Sequence, residues 1–175
     1  MFAKPRQLDT EQELYEVALR ALMRRAHSVH EMKKLLSRRT DNDLLVQLVM
    51  ARLKENGQLD DARYAKQFAR RGAESRKQGK FRIARELRAR GIPDRHIEAA
   101  VEESSTDAGD SALIRLRIER KLKLLRGEID ERKIASLYRS LLRAGFSTDL
   151  IRRELHRLTR EDVPEVEPGD AAESS

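Results

Sequence analysis

Two adjacent carboxylates, Asp60 and Asp61, are the side chains in this sequence that most resemble an acid–base pair or a metal-binding pair. Either chemistry would need both to face one site, but neighbouring residues at the start of a helix point in different directions. A carboxylate at such a position can instead accept hydrogen bonds from the unpaired amides of the first turn. We therefore predict that at least one of them caps a helix, and a contact with a basic partner surface is the alternative.

The residues after this pair, and the histidines, offer no better catalytic or metal site. Arg63 can pair with either aspartate, and Tyr64 can pack its ring inward and present its hydroxyl outward. His27 and His30 lie three residues apart without further ligand-type neighbours, so no metal site is predicted. The sequence contains no cysteine, no glycine-rich phosphate loop and no nucleophile elbow. We predict a protein that is not an enzyme, with no catalytic residue and no cofactor.

Basic side chains offer a different chemistry. The 37 lysines and arginines outnumber the 30 acidic residues, and residues 63–95 hold twelve basic but only three acidic side chains. Such a surplus on a short segment costs some stability and is typical of a surface that meets a polyanion or an acidic protein. The predicted binding face consists of Arg76, Lys77, Lys80, Arg82, Arg85, Arg88 and Arg90. The alternative is that these charges only solubilise exposed helices.

A second basic stretch lies further along the chain and contains a single acid, Glu119. Its basic members are Arg115, Arg117, Arg120, Lys121, Lys123 and Arg126. A solvated helix face and a phosphate-binding face fit this stretch equally well.

Helices are the elements predicted to position these residues. The 175-residue chain contains only 8 glycines and 4 prolines, whereas sheets need turns that usually contain them. Helix starts are marked by pairs such as Ser28 with Glu31, and helix ends by glycines such as Gly91 and Gly145. Apolar residues at helical spacing follow these starts, which predicts nine helices.

Some of these helices have a predicted buried face or predicted limits. The third helix is predicted to pack through Leu48 and Val49, and the fourth through Phe68. Residues 102–109 are predicted to form a polar linker, and the helix that follows is predicted to span about residues 110–126.

Comparison of the sequence with itself indicates a repeat. A shift of 54 residues places Leu87 and Gly91 on Leu141 and Gly145, and a shift of 52 residues matches the first part of the chain to the second. We predict an all-α fold of three tandem three-helix units. These units span residues 10–57, 58–103 and 108–160. Because each unit buries little surface alone, neighbours are predicted to support one another in an elongated, curved body.

Residues 161–175 differ from the rest of the chain because they carry six acidic side chains and no basic one. We predict a disordered tail that aids solubility, and competition with a polyanion for the basic face is the alternative. Residues 1–160 then hold 37 basic against 24 acidic side chains. No apolar stretch approaches the roughly 18 residues of a membrane span. A soluble, cytoplasmic, monomeric protein is therefore predicted.

A set of short runs in the middle of the chain carries a family resemblance. The runs are Leu59-Asp60-Asp61-Ala62-Arg63-Tyr64-Ala65, Gly79-Lys80, Arg82-Ile83, Glu86-Leu87 and Arg90-Gly91-Ile92. Together they resemble the RecX family, and residues 18–36 are similar to that family's opening segment. The resemblance extends over about residues 14–158 in the order of its elements.

The resemblance implies a regulator of the RecA recombinase. Such a protein is expected to lie in the groove of the RecA–DNA filament and to modulate, most often inhibit, RecA ATPase and strand exchange. It would then act in DNA repair, homologous recombination and the SOS response. An elongated basic body could also touch DNA phosphates along the filament. The alternative is a stand-alone DNA-binding protein of the helix-turn-helix kind, with Arg152, Arg153 and Arg157 as candidates to read bases.

Overall fold

Nine α-helices make up the part of the chain that the computed structural model describes, residues 7–124 and 130–161. In chain order they are α1 (Glu11–Arg24), α2 (Val29–Leu36), α3 (Asp43–Glu55), α4 (Asp61–Glu74), α5 (Lys80–Ala89), α6 (Asp94–Ser104), α7 (Asp107–Leu124), α8 (Glu131–Ala144) and α9 (Thr148–Glu161). No strand occurs among these residues. The predicted all-α class is confirmed.

Side-chain caps begin several helices where local sequence predicted them. At α2 the Ser28 hydroxyl accepts the Glu31 amide at 3.1 Å, and the Glu31 carboxylate accepts the Ser28 amide at 3.3 Å. This reciprocal pair satisfies two amides that a helix start otherwise leaves unpaired. Asn42 caps α3 and Asp130 caps α8 through a side-chain oxygen that accepts main-chain amides of the first turn. Gly145 ends α8 with φ of +90°, a conformation that L side chains rarely adopt.

The linker predicted over residues 102–109 is wrong. α6 continues to Ser104 and α7 already begins at Asp107, so only two residues separate them. Asp107 and Asp110 lie in the first turn of α7, where carboxylates are stabilised by the partial positive charge of a helix N-terminus. The predicted end of α7 near residue 126 falls outside the described residues.

The chain divides into two compact units, the first of which is Met1–Thr106. Within it, buried apolar residues form two clusters. Leu14 and Met32 belong to a cluster built by α1, α2 and α3, and Ile83 and Leu87 to one built by α4, α5 and α6. The finer division of the chain into three three-helix units stays a prediction.

Small residues allow α4 and α6 to pack closely. Ala65 and Ala69 of α4 and Ala100 of α6 are almost completely buried. Gly72 of α4 also packs closely against α5, because a Cβ at this glycine would lie only 2.9 Å from Cγ1 of Ile83. Short side chains at the contact bring the helix axes together. The longer, charged side chains of α4 are left on its outer faces.

α3 buries a face that differs in part from the predicted one. Val46, Val49 and Met50 are buried, whereas Leu48 exposes 55% and Leu44 exposes 70% of its surface. Apolar residues occur almost all round this helix, so spacing alone could not decide which of them faces the core. The prediction for Val49 is confirmed and that for Leu48 is wrong.

The second compact unit, Asp107–Ser175, has a core of its own. Ile118 of α7, Leu137 of α8 and Ile151 of α9 meet in it and are almost completely buried. Apart from Glu161, which ends α9, the acidic tail that was predicted to be disordered lies outside the described residues.

Candidate functional site, an arginine-lined cleft

Asp60 and Asp61 hold the starts of two different helices. The Asp60 carboxylate accepts the Arg63 amide at 2.9 Å and so caps α4. The Asp61 carboxylate accepts the amide of Val29, in the first turn of α2, also at 2.9 Å. Arg63 was expected to pair with one of these aspartates, but its guanidinium donates to the carbonyl oxygen of Gly57. The two carboxylates therefore act on separate amides.

A second contact fixes the start of α2 against the end of α5. The Ser28 hydroxyl donates to the carbonyl oxygen of Arg90 at 2.6 Å. Gly91, the next residue, has φ of +72°, and a Cβ there would lie 2.5 Å from Cβ of His30. Only glycine lets the two chain segments approach this closely. The start of α2 is thus held beside Arg90 by groups that are distant in sequence.

These contacts border a cleft of about 320 Å³ whose walls come from the start of α2, from α4 and from the segments before and after α5. Four arginines line it, one at the end of α1, one on α4, one in the α4–α5 loop and one after α5. The charged side chains of the cleft are Arg25, Arg71, Arg76, Arg90 and Glu31, with a net charge of +3. A concave surface with this surplus favours an anionic ligand.

Two aromatic rings lie in the same cleft. Tyr64 and Phe68, one turn apart on α4, stack with centroids 6.2 Å apart and an interplanar angle of 13°. The guanidinium carbon of Arg90 lies 4.6 Å from the Phe68 centroid, and that of Arg76 lies 5.4 Å from it. Phe68 was predicted to face the core. It is only half-buried, because its ring lies at the edge of the core beneath these guanidinium groups.

The charges of the cleft affect how Glu31 and Tyr64 titrate. Burial raises the pKa of Glu31. Its carboxylate accepts hydrogen bonds from Arg25, at 2.9 Å, and from the Ser28 amide. These bonds and the nearby positive charge outweigh burial, so the pKa lies below its ordinary value. Burial and the charge of Glu31 raise the pKa of Tyr64, against the opposing effect of Arg90. At neutral pH the cleft therefore holds a carboxylate bound to Arg25 and a neutral phenol.

Glu86 holds arginines at the rim of the cleft. Nε of Arg82 donates to its carboxylate at 2.9 Å, and Arg76 approaches the carboxylate at 3.6 Å. Arg90 donates to the main-chain carbonyl of Glu86 at 2.8 Å. Burial raises the pKa of Glu86. The three arginines lower this pKa by more than burial raises it, so it lies below its ordinary value. One acidic residue thus orients three of the predicted basic side chains.

The other members of the predicted basic face lie elsewhere. Arg88 pairs with Asp94, at the start of α6, at 2.8 Å. Arg85 is exposed on α5, and within residues 7–124 and 130–161 its side chain has no hydrogen bond or ion pair. Nζ of Lys80 lies 5.9 Å from the ring of its neighbour, and Lys77, in the α4–α5 loop, has φ of +53°. The seven residues are therefore divided between the cleft, its rim and other parts of the surface.

The second basic stretch, on α7, also has members with structural partners. Arg115 pairs at 3.5 Å with Glu154, whose side chain is buried. The guanidinium carbon of Arg117 lies 5.9 Å from the ring centroid of Phe146. The exposed members that have no ion pair or ring contact with another described residue are Arg120, Lys121 and Lys123. Arg126 lies outside the described residues.

A second depression, of about 600 Å³, adjoins the arginine-lined cleft. Arg25 and Glu31 line both of them. The second depression adds three basic residues from α2 and the segment after it, namely Lys34, Arg38 and Arg39. These three residues form a basic track that lies along α2 and the segment after it, beside the cleft.

The sequence did not reveal Arg25, Arg71 or the basic residues of α2 as parts of one site. The prediction centred on α5, where positive charge is densest, whereas the cleft draws on four segments of the chain. Arg71 is exposed, and its side chain makes no hydrogen bond or ion pair to another described residue. The signal that could have located the site is the four-residue spacing of Tyr64 and Phe68, which places two rings side by side on a helix.

The described residues contain neither a cluster of metal-binding side chains nor a helix that could span a membrane. In that part of the chain, no three histidine, aspartate or glutamate side chains are arranged to hold a metal ion. None of its helices combines the length and the apolar character that crossing a bilayer requires.

Comparison with known proteins places this chain in a family. A regulatory protein RecX from Halorhodospira halophila is 36% identical over 138 residues, which cover 78% of this chain and 83% of the relative. The chain belongs to the RecX family. A regulatory protein RecX from Pseudomonas putida is 34% identical over 148 residues, covering 85% of this chain and 92% of the relative. Residues 60–101 match the family model described as RecX, second three-helix domain.

Solved structures with the same fold also come from the RecX family. The crystal structure of RecX from Lactobacillus salivarius superposes with a TM-score of 0.71 at 21% identity, over 86% of this chain and 97% of that one. A crystal structure of regulatory protein RecX gives a TM-score of 0.73 at 21% identity, over 82% of this chain and 71% of that one. The resemblance to RecX drawn from the sequence is confirmed, and the cleft draws most of its lining from the segment that matches the second domain.

Proposed function

We propose that this RecX-family chain binds the RecA–DNA filament and lowers the ATPase and strand-exchange activities of RecA, without catalysing a reaction itself. The observation that carries the proposal is the position of the arginine-lined cleft. Residues 60–101, which match the family's second domain, supply both aromatic rings and three of the four arginines. Most residues that line the cleft therefore lie in the segment that matches the family model.

The charge of the chain fits such a partner. A net charge of +7 and a basic track along α2 favour contact with DNA phosphates or with acidic protein surfaces. Three three-helix units, over residues 10–57, 58–103 and 108–160, would let a cytoplasmic monomer make many weak contacts with successive protomers of a filament. Contacts spread in this way modulate the filament in DNA repair, homologous recombination and the SOS response without any single dominant residue.

Binding at increasing salt separates this function from that of a stand-alone DNA-binding protein. Binding to bare DNA depends mainly on phosphate contacts and weakens steeply with salt. Contacts with RecA protomers add interactions that salt weakens less than it weakens phosphate contacts. We expect the chain to remain on RecA filaments, formed on single-stranded DNA, at a salt concentration that removes it from the same DNA without RecA. Equal loss from both would support the stand-alone alternative.

A charge reversal on α5 tests the predicted face directly. Arg85 is exposed and is not needed to orient other side chains, so Arg85→Glu changes charge without breaking a contact within the described chain. Like charges at a docked surface are costly, so we expect about five-fold more variant than wild type to be needed to inhibit RecA ATPase by half. Arg139→Glu on α8, exposed and equally without a partner there, is the matched control. Equal inhibition by wild type and both variants would contradict a contact at α5.

A further inference from the structure

The arginine-lined cleft differs from a general basic surface because most of its arginines are held in place. Arg25 is paired with Glu31 at 2.9 Å. Arg76 and Arg90 are held by Glu86, at 3.6 Å through its carboxylate and 2.8 Å through its carbonyl oxygen. Side chains that are already ordered lose little conformational entropy when a ligand arrives. The cleft is therefore preorganised.

Arg71 is the exception and supplies the group that is free to bind a ligand. It lines the cleft from α4 and is exposed, and its guanidinium has no partner among the described residues. A guanidinium presents several N–H groups in a planar fork that matches two oxygens of a phosphate. One unpaired arginine within a cleft of net charge +3 thus favours a phosphate group at this position.

The aromatic part of the cleft favours a base beside that phosphate. Phe68 stacks on Tyr64, and the guanidinium groups of Arg76 and Arg90 lie against its ring. Nucleobases stack on aromatic rings and on guanidinium planes, and this stacking does not depend strongly on which base is present. A simple acidic peptide could pair with the arginines but would add no stacking contact to these flat surfaces. A cleft that combines phosphate-binding and base-stacking groups therefore favours a nucleic acid over an acidic peptide.

The size of the cleft and its surroundings select a single strand. A volume of about 320 Å³ is at the lower end of ligand pockets and suits one nucleotide rather than a duplex. Bases in a duplex are stacked on one another, so only an unpaired base can enter beside Phe68. The adjoining depression, lined by Lys34, Arg38 and Arg39, continues the positive charge and provides a path for the next phosphates.

We infer that the cleft binds one nucleotide of single-stranded DNA, with the phosphate on Arg71 and the base stacked at Phe68 against the guanidinium groups. The neighbouring phosphates follow the basic track along α2. This inference rests on the proposed function, because the filament is what presents a single strand to the chain. It goes further in assigning a site, a ligand unit and the residues that distinguish a single strand from a duplex.

Binding of a labelled oligo-dT strand of about 15 nucleotides to the full chain, followed by fluorescence anisotropy at fixed salt, tests the site. We expect Arg71→Ala to raise the dissociation constant about five-fold, because a phosphate contact is lost. Arg70→Ala removes the same charge one position away on α4, where the side chain lines a different cleft and has no partner among the described residues. We expect it to change the constant by less than about two-fold.

The base-stacking part is tested with Phe68→Leu, which keeps an apolar side chain at the edge of the core. We expect it to weaken binding of oligo-dT about five-fold or more. On a strand of the same length whose sugars lack bases, Phe68→Leu and wild type should bind equally, whereas Arg71→Ala should still bind more weakly. A variant that merely unfolds would weaken both strands alike, and that result would overturn the stacking assignment.

Three further outcomes would overturn the inference. The first is that Arg70→Ala and Arg71→Ala raise the dissociation constant equally. The second is that a duplex of the same length binds and is weakened by Phe68→Leu to the same extent. The third is that polyglutamate displaces the strand and that its own binding depends on Arg71 to the same extent. The last would indicate an acidic peptide as the ligand. Because no RecA is present in this assay, its failure leaves the ATPase test of the proposed function intact, and failure of that test leaves the binding result intact.

Discussion

At the scale of single residues, Glu31 shows how one side chain can serve both the fold and the site. Its carboxylate accepts the Ser28 amide at the start of α2 and pairs with Arg25 at 2.9 Å. The first contact completes a helix cap, and the second holds an arginine in the wall of the cleft. A change at Glu31 should therefore affect stability and ligand binding together, and its charge state should matter for both.

The pH dependence of stability should reveal this carboxylate. The pKa of Glu31 in the folded chain lies below its ordinary value of 4.5, so the unfolded chain takes up a proton first as pH falls. The stabilising contribution of Glu31 is then present above pH 4.5 and is lost as pH falls through the folded pKa. We expect the unfolding free energies of wild type and Glu31→Gln to differ at neutral pH and to converge in acid, as measured by urea unfolding. A difference that stays constant down to low pH would contradict a lowered pKa.

At the scale of elements, the contact between the start of α2 and the end of α5 depends on a glycine. Gly91 has φ of +72°, and its missing side chain leaves room for His30. Ser28 donates to Arg90 at the same place, and Asp61 accepts the first-turn amide of α2 beside it. Polar contacts and a close backbone approach therefore join the two helices, whereas the two apolar clusters of this compact unit lie on either side.

Replacement of two glycines by alanine separates backbone strain from this close approach. Gly57 has φ of +65° with nothing within 4 Å of an added Cβ, so Gly57→Ala should cost about 1 kcal/mol from the left-handed conformation alone. Gly91→Ala has the same strain, but its Cβ would lie 2.5 Å from Cβ of His30, and we expect a further loss of about 1–3 kcal/mol. Urea unfolding measured by far-UV circular dichroism checks both. Equal losses would show that the close approach costs nothing.

At the scale of the whole molecule, the chain combines separate cores with a net positive charge. Met1–Thr106 and Asp107–Ser175 are each compact, and each has its own buried apolar residues. The arginine-lined cleft and the basic track along α2 both belong to the first unit. All the residues that the proposed single-strand site needs are therefore present within Met1–Thr106.

Because its two apolar clusters are complete without the second unit, a fragment of residues 1–106 should fold alone. We expect it to unfold cooperatively on heating and to keep the helical circular dichroism signal expected for six of the helices. Three helices bury less surface, so a fragment of residues 107–175 should be the less stable of the two. A fragment of residues 1–106 without a cooperative transition at any temperature would show that its stability depends on the rest of the chain.

The sequence by itself determined the helices, because their signals act within a few residues. Caps such as Ser28 with Glu31, stops such as Gly145 and the apolar spacing of α8 each depend on neighbours within about one turn. The family resemblance was also legible, because its runs are local. Spacing failed where it was ambiguous, as at Leu48, and where a polar segment continued as helix before α7.

Only the tertiary structure decided which charges meet. Asp61 and Val29 are 32 positions apart, and Ser28 and Arg90 are 62 positions apart, so neither contact has a local signal. The seven basic residues that were predicted to form one face are divided by helix packing between the cleft, its rim and other parts of the surface. Arg71, whose guanidinium has no partner among the described residues, and the aromatic pair lie on α4 and share one cleft with arginines that follow α1 and α5. Helix formation is local, whereas a site built from several helices depends on how they pack.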